Sequence, residues 1–273
     1  MHVQPGQPVN LGCHLPGTVH WVWMRRLHQL LSHPIGFALS GGSVRGLAHI
    51  GVLKELSEAG LKPSVITGTS AGSLVGAMAA AGMPWQDMAA LARELFWPSL
   101  LHGDRLVRFC EQHLPPTFDA LSLPFAAIVT ELPSKDARVI TEGKLPSAIS
   151  ASCALRGIRR PVERDGLRLK DGGIACVLPA QACRALGAEF VIGSDVWELS
   201  SVLRRAGIPP HHPRANRWYP QHYHAAVQST DLLIHPQIPI AGYLPTSSAV
   251  DAMIDAGAAA ARQALHRLTA QAA

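Results

Sequence analysis

Apolar and polar positions follow two different periods along most of this chain. From residue 35 onward, short apolar runs typical of buried strands alternate with longer segments that place an apolar residue at every third or fourth position, as helices do. The first strand is predicted over Ile35–Leu39, the first helix over Leu47–Ala59 and the second strand over Val65–Thr67. Further strands are predicted over Phe125–Val129, Arg138–Thr141, Leu167–Leu169, Phe190–Ser194 and Leu232–Ile234, and further helices over Ser70–Ala81, Pro84–Phe96, Arg105–His113, Pro179–Leu186 and Ser247–Leu268. This alternation predicts an α/β fold with a mostly parallel central sheet and helices on both faces.

The pattern is different in the first 34 residues, which are rich in Pro, Gly and His. We therefore expect an N-terminal appendage over residues 1–34 and one α/β domain over residues 35–273. Within the appendage, Val19–Leu31 carries apolar side chains at helical spacing beside Arg25 and Arg26. That pattern fits either a helix packed on the domain or a helix that lies in a membrane interface.

One uncharged segment, Ser64–Gln86, is long enough to resemble a membrane span. It contains four glycines and begins with a strand-like Val65–Thr67 rather than with a helical apolar run. We therefore expect a strand, a sharp turn and a helix buried in a globular core.

The composition is that of a globular protein, and the charge suits an anionic partner. Apolar residues make up 48% of the chain and charged residues 16%, which leaves ample material for a core. A formal charge of +5 and a pI near 9.2 favour peripheral contact with an anionic membrane. No run of Lys and Arg resembles a nucleic-acid patch, and three Tyr and six Phe offer few rings for base stacking. Nucleic acid is not expected as a partner.

The five cysteines form an odd number and include no C-x-x-C pair, which argues against a disulfide framework and against a zinc site. A reducing cytoplasm is the expected compartment, with peripheral contact at the inner face of the membrane. Met1–Leu15 lacks the basic start and the continuous apolar stretch of a secretory signal.

The first chemical motif is Gly68-Thr69-Ser70-Ala71-Gly72, which matches G-x-S-x-G between a predicted strand and a predicted helix. A serine on such a strained turn presents its hydroxyl away from neighbouring side chains, and the helix N-terminus stabilises developing negative charge. The motif predicts a nucleophilic serine.

The second motif is a glycine-rich loop over residues 40–46, which presents consecutive backbone N–H groups between a strand and a helix. Such a loop can bind an oxyanion. A dinucleotide loop is disfavoured because Ser43 stands at the second glycine position of G-x-G-x-x-G, and a P-loop is disfavoured because no Lys follows Gly46. The third motif is Lys170-Asp171-Gly172-Gly173, which by itself is a common turn.

Taken together, the three motifs resemble the patatin-like phospholipase family in order and in context. The similarity runs from Ile35 to Ala261 and includes Ala148–Ser152 and the Leu178-Pro179 step. It implies a patatin-like three-layer architecture and a hydrolase domain over residues 35–273. It also implies that no cofactor and no metal is needed.

The resemblance further implies hydrolysis of lipid acyl esters, such as phospholipids or lysophospholipids, by a Ser-Asp dyad through an acyl-enzyme. Ser70 would be the nucleophile and Asp171 the general base. The backbone N–H groups of Gly41, Gly42 and Ser43 would form the oxyanion hole. Supporting loop residues would be Arg45, Gly46, Gly68, Gly72, Gly172 and Gly173.

Three departures from the family pattern bear on the substrate. Ser43 replaces the third glycine of the loop and keeps its N–H. Arg156–Arg160 reads Arg-Gly-Ile-Arg-Arg where the family usually has Pro-Gly-Ile-Phe-Pro, and Cys176-Val177 replaces Asn-Pro. The arginines fit either an exposed loop or contacts to a phosphate headgroup.

Other functions stay open at the level of the sequence. A transacylase would use the same dyad with an alcohol in place of water, and a lipid-binding or scaffold protein would keep the fold without turnover. An ordinary Ser-His-Asp triad, with His222, His224 or His235 as the base, is less favoured, as is a metal site among the histidines of 211–224. We expect that histidine-rich stretch to be a solvated loop. The sequence does not determine the oligomeric state.

Overall fold

A computed structural model describes residues 33–95, 97–238 and 246–270 of the chain, and these residues form an eight-stranded mixed sheet. The strands are β1 (Ile35–Leu39), β2 (Val65–Thr69), β3 (Phe125–Leu132), β4 (Ala137–Ile140), β5 (Val162–Arg164), β6 (Leu167–Asp171), β7 (Phe190–Ser194) and β8 (Leu232–Ile234). Their order is β5-β6-β3-β2-β1-β7-β8, with β4 paired to β3. Five neighbouring strands, β3, β2, β1, β7 and β8, run parallel to one another. β4 and β6 run antiparallel to β3. The predicted mostly parallel sheet is confirmed.

Nine helices of the described residues cover this sheet. They are α1 (Ala48–Glu58), α2 (Ala71–Ala80), α3 (Trp85–Glu94), α4 (Arg105–His113), α5 (Leu145–Ser152), α6 (Ala180–Ala185), α7 (Glu198–Arg205), α8 (Gln221–Gln228) and α9 (Ser247–Ala270). In β1, Phe37 and Leu39 pack into a core with α1, α2, α3 and α9, whereas Ala38 packs into a second core with α6, α7 and α8. Since side chains alternate across a strand, the helices form layers on both faces, as predicted.

The two strands that carry the serine and aspartate motifs end against each other along one edge of β3. Residues 127 and 128 of β3 pair with both β2 and β4, and residues 129 and 130 pair with both β4 and β6. Because β4 occupies one edge of β3, β2 and β6 must share the other. β2 ends at Thr69, opposite Ile128, and the antiparallel β6 ends at Asp171, opposite Val129. The carboxyl ends of β2 and β6 therefore face each other.

Most predicted elements are confirmed, some with shifted ends, but four short elements are missing from the prediction. These are α5, α7, α8 and β5. The expectation of a solvated loop over the histidine-rich stretch is wrong in its second half, because α8 spans Gln221–Gln228 and its Tyr223 is fully buried. An eight-residue helix shows little more than two turns of periodicity, so tertiary packing rather than pattern determines it.

The uncharged segment Ser64–Gln86 forms β2, α2 and the start of α3, as expected. None of the helices in the described part of the chain is long and apolar enough to cross a membrane. Residues 1–32 lie outside the described residues, so the appendage and the interfacial helix over Val19–Leu31 remain predictions.

Candidate active site

Ser70 lies on the sharp turn between β2 and α2. Its backbone has a φ of 52° and a ψ of −124°, a conformation that L-residues rarely adopt. Its N–H donates to Ser152 Oγ over 2.8 Å, and Ser152 Oγ donates to the Ile128 carbonyl over 2.6 Å. The strained turn is thus fixed by α5 and β3 as well as by its own strand and helix.

Close backbone contacts explain the two glycines that flank the turn. A Cβ at Gly68 would lie 2.3 Å from the Gly72 carbonyl oxygen, and a Cβ at Gly72 would lie 2.3 Å from the Leu39 carbonyl oxygen. Neither position has room for a side chain. The glycines allow the first turn of α2 to lie directly against the ends of β1 and β2. A Cβ at Gly46 would likewise meet Ala71 Cβ at 2.5 Å, and one at Gly172 would meet the Ile128 carbonyl oxygen at 2.2 Å.

Ser70 and Asp171 contact each other directly although 101 positions separate them in sequence. Ser70 Oγ donates to Asp171 Oδ2 over 2.7 Å, and the other carboxylate oxygen accepts the Gly173 N–H over 2.8 Å. The Asp171 carbonyl accepts a hydrogen bond from Thr130 Oγ1 over 2.8 Å. Both Ser70 and Asp171 are 5% exposed. The carboxylate is therefore held in one orientation toward the hydroxyl.

Burial makes Asp171 a stronger base than an exposed aspartate. Desolvation raises its pKa from 3.8 to about 6, and the hydrogen bonds from Ser70 and the Gly173 N–H partly offset that rise. A carboxyl group with this pKa is still mostly ionised at neutral pH, and it accepts a proton more readily than an ordinary aspartate.

The glycine loop contributes fewer free N–H groups than the sequence suggests. The Gly41 N–H donates to the Val177 carbonyl over 2.9 Å, because the start of the loop is tied to the segment that follows β6. Within the described residues, no hydrogen bond uses the N–H of Gly42 or Ser43. Ser43 adopts a φ of 52°, a left-handed backbone conformation that glycine adopts more readily than serine. The predicted oxyanion hole is thereby reduced to the N–H groups of Gly42 and Ser43.

Arg45 anchors the glycine loop to the segment after β7. Its Nε donates to the Val196 carbonyl over 2.9 Å, and its Nη2 donates to Ser201 Oγ on α7 over 2.6 Å. A Cβ at Gly42 would lie 2.7 Å from the Val196 side chain, so the loop lies flat on this segment. Arg45 therefore acts on the loop from outside the cavity at Ser70.

His49 is fully buried and contacts the first residue of the same loop. Its Nδ1 lies 2.8 Å from Ser194 Oγ, and its Nε2 lies 2.9 Å from the Ser40 carbonyl oxygen. Burial lowers its pKa to about 4, so the ring is neutral at physiological pH. It links the end of β7 to the first residue of the glycine loop.

An apolar cavity of about 100 Å³ opens at Ser70. Its lining is almost entirely aliphatic or aromatic and includes Val44, Leu74, Trp97, Leu100, Leu106 and Leu155, together with Ser43 and Cys153. Burial raises the pKa of the Cys153 thiol to about 12, so the cysteine is an inert wall of the cavity. The cavity suits an apolar group bound next to the Ser70 hydroxyl.

None of the described histidines has a hydrogen bond to Ser70 or Asp171. His235 Nδ1 lies 3.3 Å from Oδ2 of Asp195, a different carboxylate, which accepts hydrogen bonds from Ser200 and Tyr223. His222 and His224 lie on α8, in the helical layer on the other core. Among the described residues there is also no group of three or more His, Cys, Asp or Glu side chains suited to a metal ion.

The arginine loop lies beside the site without lining the cavity at Ser70. Arg159 donates to the Ser150 carbonyl over 3.1 Å and to Ser150 Oγ over 3.0 Å, while Arg156 and Arg160 are exposed. Arg159 and Arg160 line a separate cavity of about 570 Å³. A contact between these arginines and a phosphate headgroup remains a prediction.

Three supporting residues of the site were not predicted, namely Ser152, Thr130 and His49. Ser152 belongs to the stretch 148–152 that contributes to the family resemblance, but its hydrogen bond to the Ser70 N–H depends on how α5 packs. Thr130 and His49 lie in elements whose sequences read as ordinary strand and helix. No local pattern reveals their roles.

Comparison with known proteins identifies relatives of this chain. A family model described as patatin-like phospholipase matches residues 37–184, just over half of the chain. Patatin-like phospholipase domain-containing protein 7 of Rattus norvegicus is 32% identical over 200 residues, which cover 66% of this chain and 15% of that protein. Neuropathy target esterase sws of Drosophila melanogaster is 30% identical over 202 residues, which cover 66% of this chain and 14% of that protein. The chain thus spans only about 15% of the length of these relatives.

The fold is also similar to a solved structure. The crystal structure of VipD from Legionella pneumophila aligns with a TM-score of 0.60 at 14% sequence identity, covering 86% of this chain and 67% of that chain. Agreement at such low identity supports the architecture alone.

Proposed function

Because the chain belongs to the patatin-like phospholipase family, we propose that it hydrolyses lipid acyl esters of the phospholipid or lysophospholipid type, with Ser70 as nucleophile and Asp171 as general base. The observation that carries this proposal is the 2.7 Å hydrogen bond from Ser70 Oγ to Asp171 Oδ2. It lies at an apolar cavity, where an acyl chain would be bound.

In the first half-reaction, Ser70 Oγ attacks the ester carbonyl carbon and its proton passes to the Asp171 carboxylate. The carbonyl oxygen becomes an oxyanion, which accepts hydrogen bonds from the N–H groups of Gly42 and Ser43. The tetrahedral intermediate collapses when the carbon–oxygen bond to the alcohol breaks, and the alcohol leaves with the proton from Asp171. The product of this step is acyl-Ser70.

In the second half-reaction, water attacks the acyl-Ser70 carbonyl and gives its proton to Asp171. Collapse of the second tetrahedral intermediate releases the fatty acid and returns the proton to Ser70 Oγ. One buried carboxyl group with a pKa near 6 therefore serves as base and as acid in each half-reaction.

The test is labelling of the purified chain with a fluorophosphonate, followed by peptide mapping of the adduct. We expect one adduct, on Ser70, and loss of both labelling and ester turnover in Ser70→Ala. Ser73→Ala is the matched control, because Ser73 lies one turn along on α2, is buried, and donates its hydroxyl to the Ser70 carbonyl. Absence of labelling, or an adduct that persists in Ser70→Ala, would refute Ser70 as the nucleophile, and absence of any labelling would favour a lipid-binding or scaffold protein.

Two further measurements separate the remaining mechanisms. Asp171→Asn should lower ester turnover by about a thousandfold or more, whereas substitution of His222, His224 or His235 should leave most of it. A comparable loss on replacing one of these histidines would indicate a triad. Product analysis with and without an added acceptor alcohol distinguishes hydrolysis from acyl transfer, since a transacylase forms a new ester and little free acid.

A further inference from the structure

The outer face of α7 exposes two apolar side chains, and the helix packs beside the glycine loop. Leu199 and Val202 lie three positions apart on this helix and are 36% and 52% exposed, whereas Leu203, one turn after Leu199, is buried in the core. Because they are three positions apart, the two side chains project from the same side of the helix and form a small exposed apolar patch. Ser201 on the same helix accepts the hydrogen bond from Arg45 that holds the glycine loop. α7 is therefore hydrogen-bonded, through a buried residue, to the arginine that anchors the proposed oxyanion hole.

The chain after α7 folds back along the helix and adds an aromatic ring and positive charge. Tyr219 OH donates to the Ile208 carbonyl over 3.0 Å and lies 3.5 Å from the Ser200 carbonyl oxygen, which fixes this segment against α7. Its neighbour Trp218 is 56% exposed. Residues 198–218 contain four arginines and a single acidic residue, Glu198. We refer to Leu199, Val202, Arg205, Arg214, Arg217 and Trp218 as the α7 surface.

We propose that the α7 surface docks the protein on an anionic phospholipid bilayer. Exposed Leu and Val on a helix face can enter the boundary between headgroups and acyl chains, and Trp is favoured at that depth. Arginines around them complement negatively charged headgroups. This inference rests on the proposed function, because a lipid hydrolase finds its substrate in a membrane surface. Docking through α7 places the bilayer against the helix to which Arg45 anchors the glycine loop.

The test is co-sedimentation of the full-length Ser70→Ala chain with vesicles, so that no lipid is consumed. Vesicles of phosphatidylcholine with added phosphatidylserine should bind the protein, and those of phosphatidylcholine alone should bind it much less. The double variant Leu199→Ser/Val202→Ser should reduce the bound fraction about tenfold. Its matched control is Val139→Ser/Leu186→Ser, which removes the same residue types at positions that are 48% and 40% exposed elsewhere on the protein. The control should bind like the parent.

Arg214→Gln/Arg217→Gln should remove the preference for phosphatidylserine while leaving the thermal unfolding midpoint unchanged. Equal binding by the Leu199/Val202 variant and its control would overturn the proposal. Self-association that the Leu199/Val202 variant abolishes, without any binding to vesicles, would also overturn it and identify the surface as a protein interface. The proposed function is judged separately, from hydrolysis of a water-soluble ester by the wild-type chain, so the two can fail independently.

Discussion

Ser70 Oγ lies 2.7 Å from Asp171 Oδ2 because the strands that carry these residues end against each other along one edge of β3. Thr69, the residue before Ser70, is opposite Ile128, and Asp171 is opposite Val129. Two neighbouring residues of β3 therefore determine the positions of both Ser70 and Asp171. The dyad proposed for catalysis is thus built on strand ends rather than on mobile loops, and its geometry follows from the register of the sheet.

The first prediction concerns the pH dependence of ester hydrolysis. Because Asp171 must be ionised to accept a proton and its pKa is about 6, kcat/KM should fall about tenfold per pH unit below pH 6 and reach a plateau above it. The profile is measured with a water-soluble ester at several temperatures. The apparent pKa of a carboxyl group changes little with temperature, whereas that of an imidazole falls on warming. A strongly temperature-dependent value would point to a histidine instead.

The second prediction concerns stability. Burial raises the pKa of Asp171 from 3.8 to about 6. Between pH 4 and pH 6, therefore, the carboxyl group is protonated in the folded state but ionised in the unfolded state. Ionisation of this carboxyl group therefore lowers the free energy of unfolding by on the order of 3 kcal/mol above pH 6 and has no effect below pH 4. Asp171→Asn should therefore be more stable than wild type at pH 8 and similar to it at pH 4.

Urea unfolding at the two pH values measures this difference. Asp119→Asn is the control, since Asp119 is exposed, and it should change the free energy of unfolding little at either pH. If Asp171→Asn were less stable than wild type at pH 8, the hydrogen bonds to the carboxylate would outweigh its desolvation, and the prediction would be wrong.

The third prediction concerns the anchor of the glycine loop. Arg45→Ala removes the hydrogen bonds to the Val196 carbonyl and to Ser201 Oγ, which frees the loop whose N–H groups we propose to bind the oxyanion. We expect kcat to fall about 10- to 100-fold with a smaller change in KM, because those donors act mainly in the transition state. Arg45→Lys should recover part of the loss. Arg138→Ala, at an exposed ion pair on β4, should have no effect, and a rise in KM alone for Arg45→Ala would argue for a contact with substrate.

The fourth prediction concerns acyl-chain length. Leu155 is partly exposed and lines the cavity at Ser70, so Leu155→Trp should narrow the cavity with little cost in stability. In a series of nitrophenyl esters, kcat/KM for long acyl chains should fall about tenfold while that for the acetyl ester changes little. Leu186→Trp, at an exposed position outside the cavity, serves as the control. Equal losses for short and long chains would mean that the acyl group lies elsewhere.

Local sequence was sufficient for the units from which the fold is built. Apolar runs and helical stripes predicted β1, β2, β7 and most of the helices, because periodicity depends only on neighbours in the chain. The turn at Ser70 was likewise readable, since G-x-S-x-G between a strand and a helix reports a local steric requirement. The short helices α7 and α8 were not readable, because two turns carry little periodicity and burial of Leu203 and Tyr223 stabilises them.

The sequence alone determined a buried serine turn, a loop of glycines and an aspartate at the end of a strand. Only the tertiary structure decided how they meet, because contact across 101 positions depends on the order and register of strands rather than on neighbouring residues. The same distinction holds for the glycine loop, where three candidate N–H groups look equivalent in sequence. Packing against the segment after β6 engages the Gly41 N–H and leaves those of Gly42 and Ser43 free of such bonds within the described residues. A hydrogen-bond donor is available only where folding has not already supplied its acceptor.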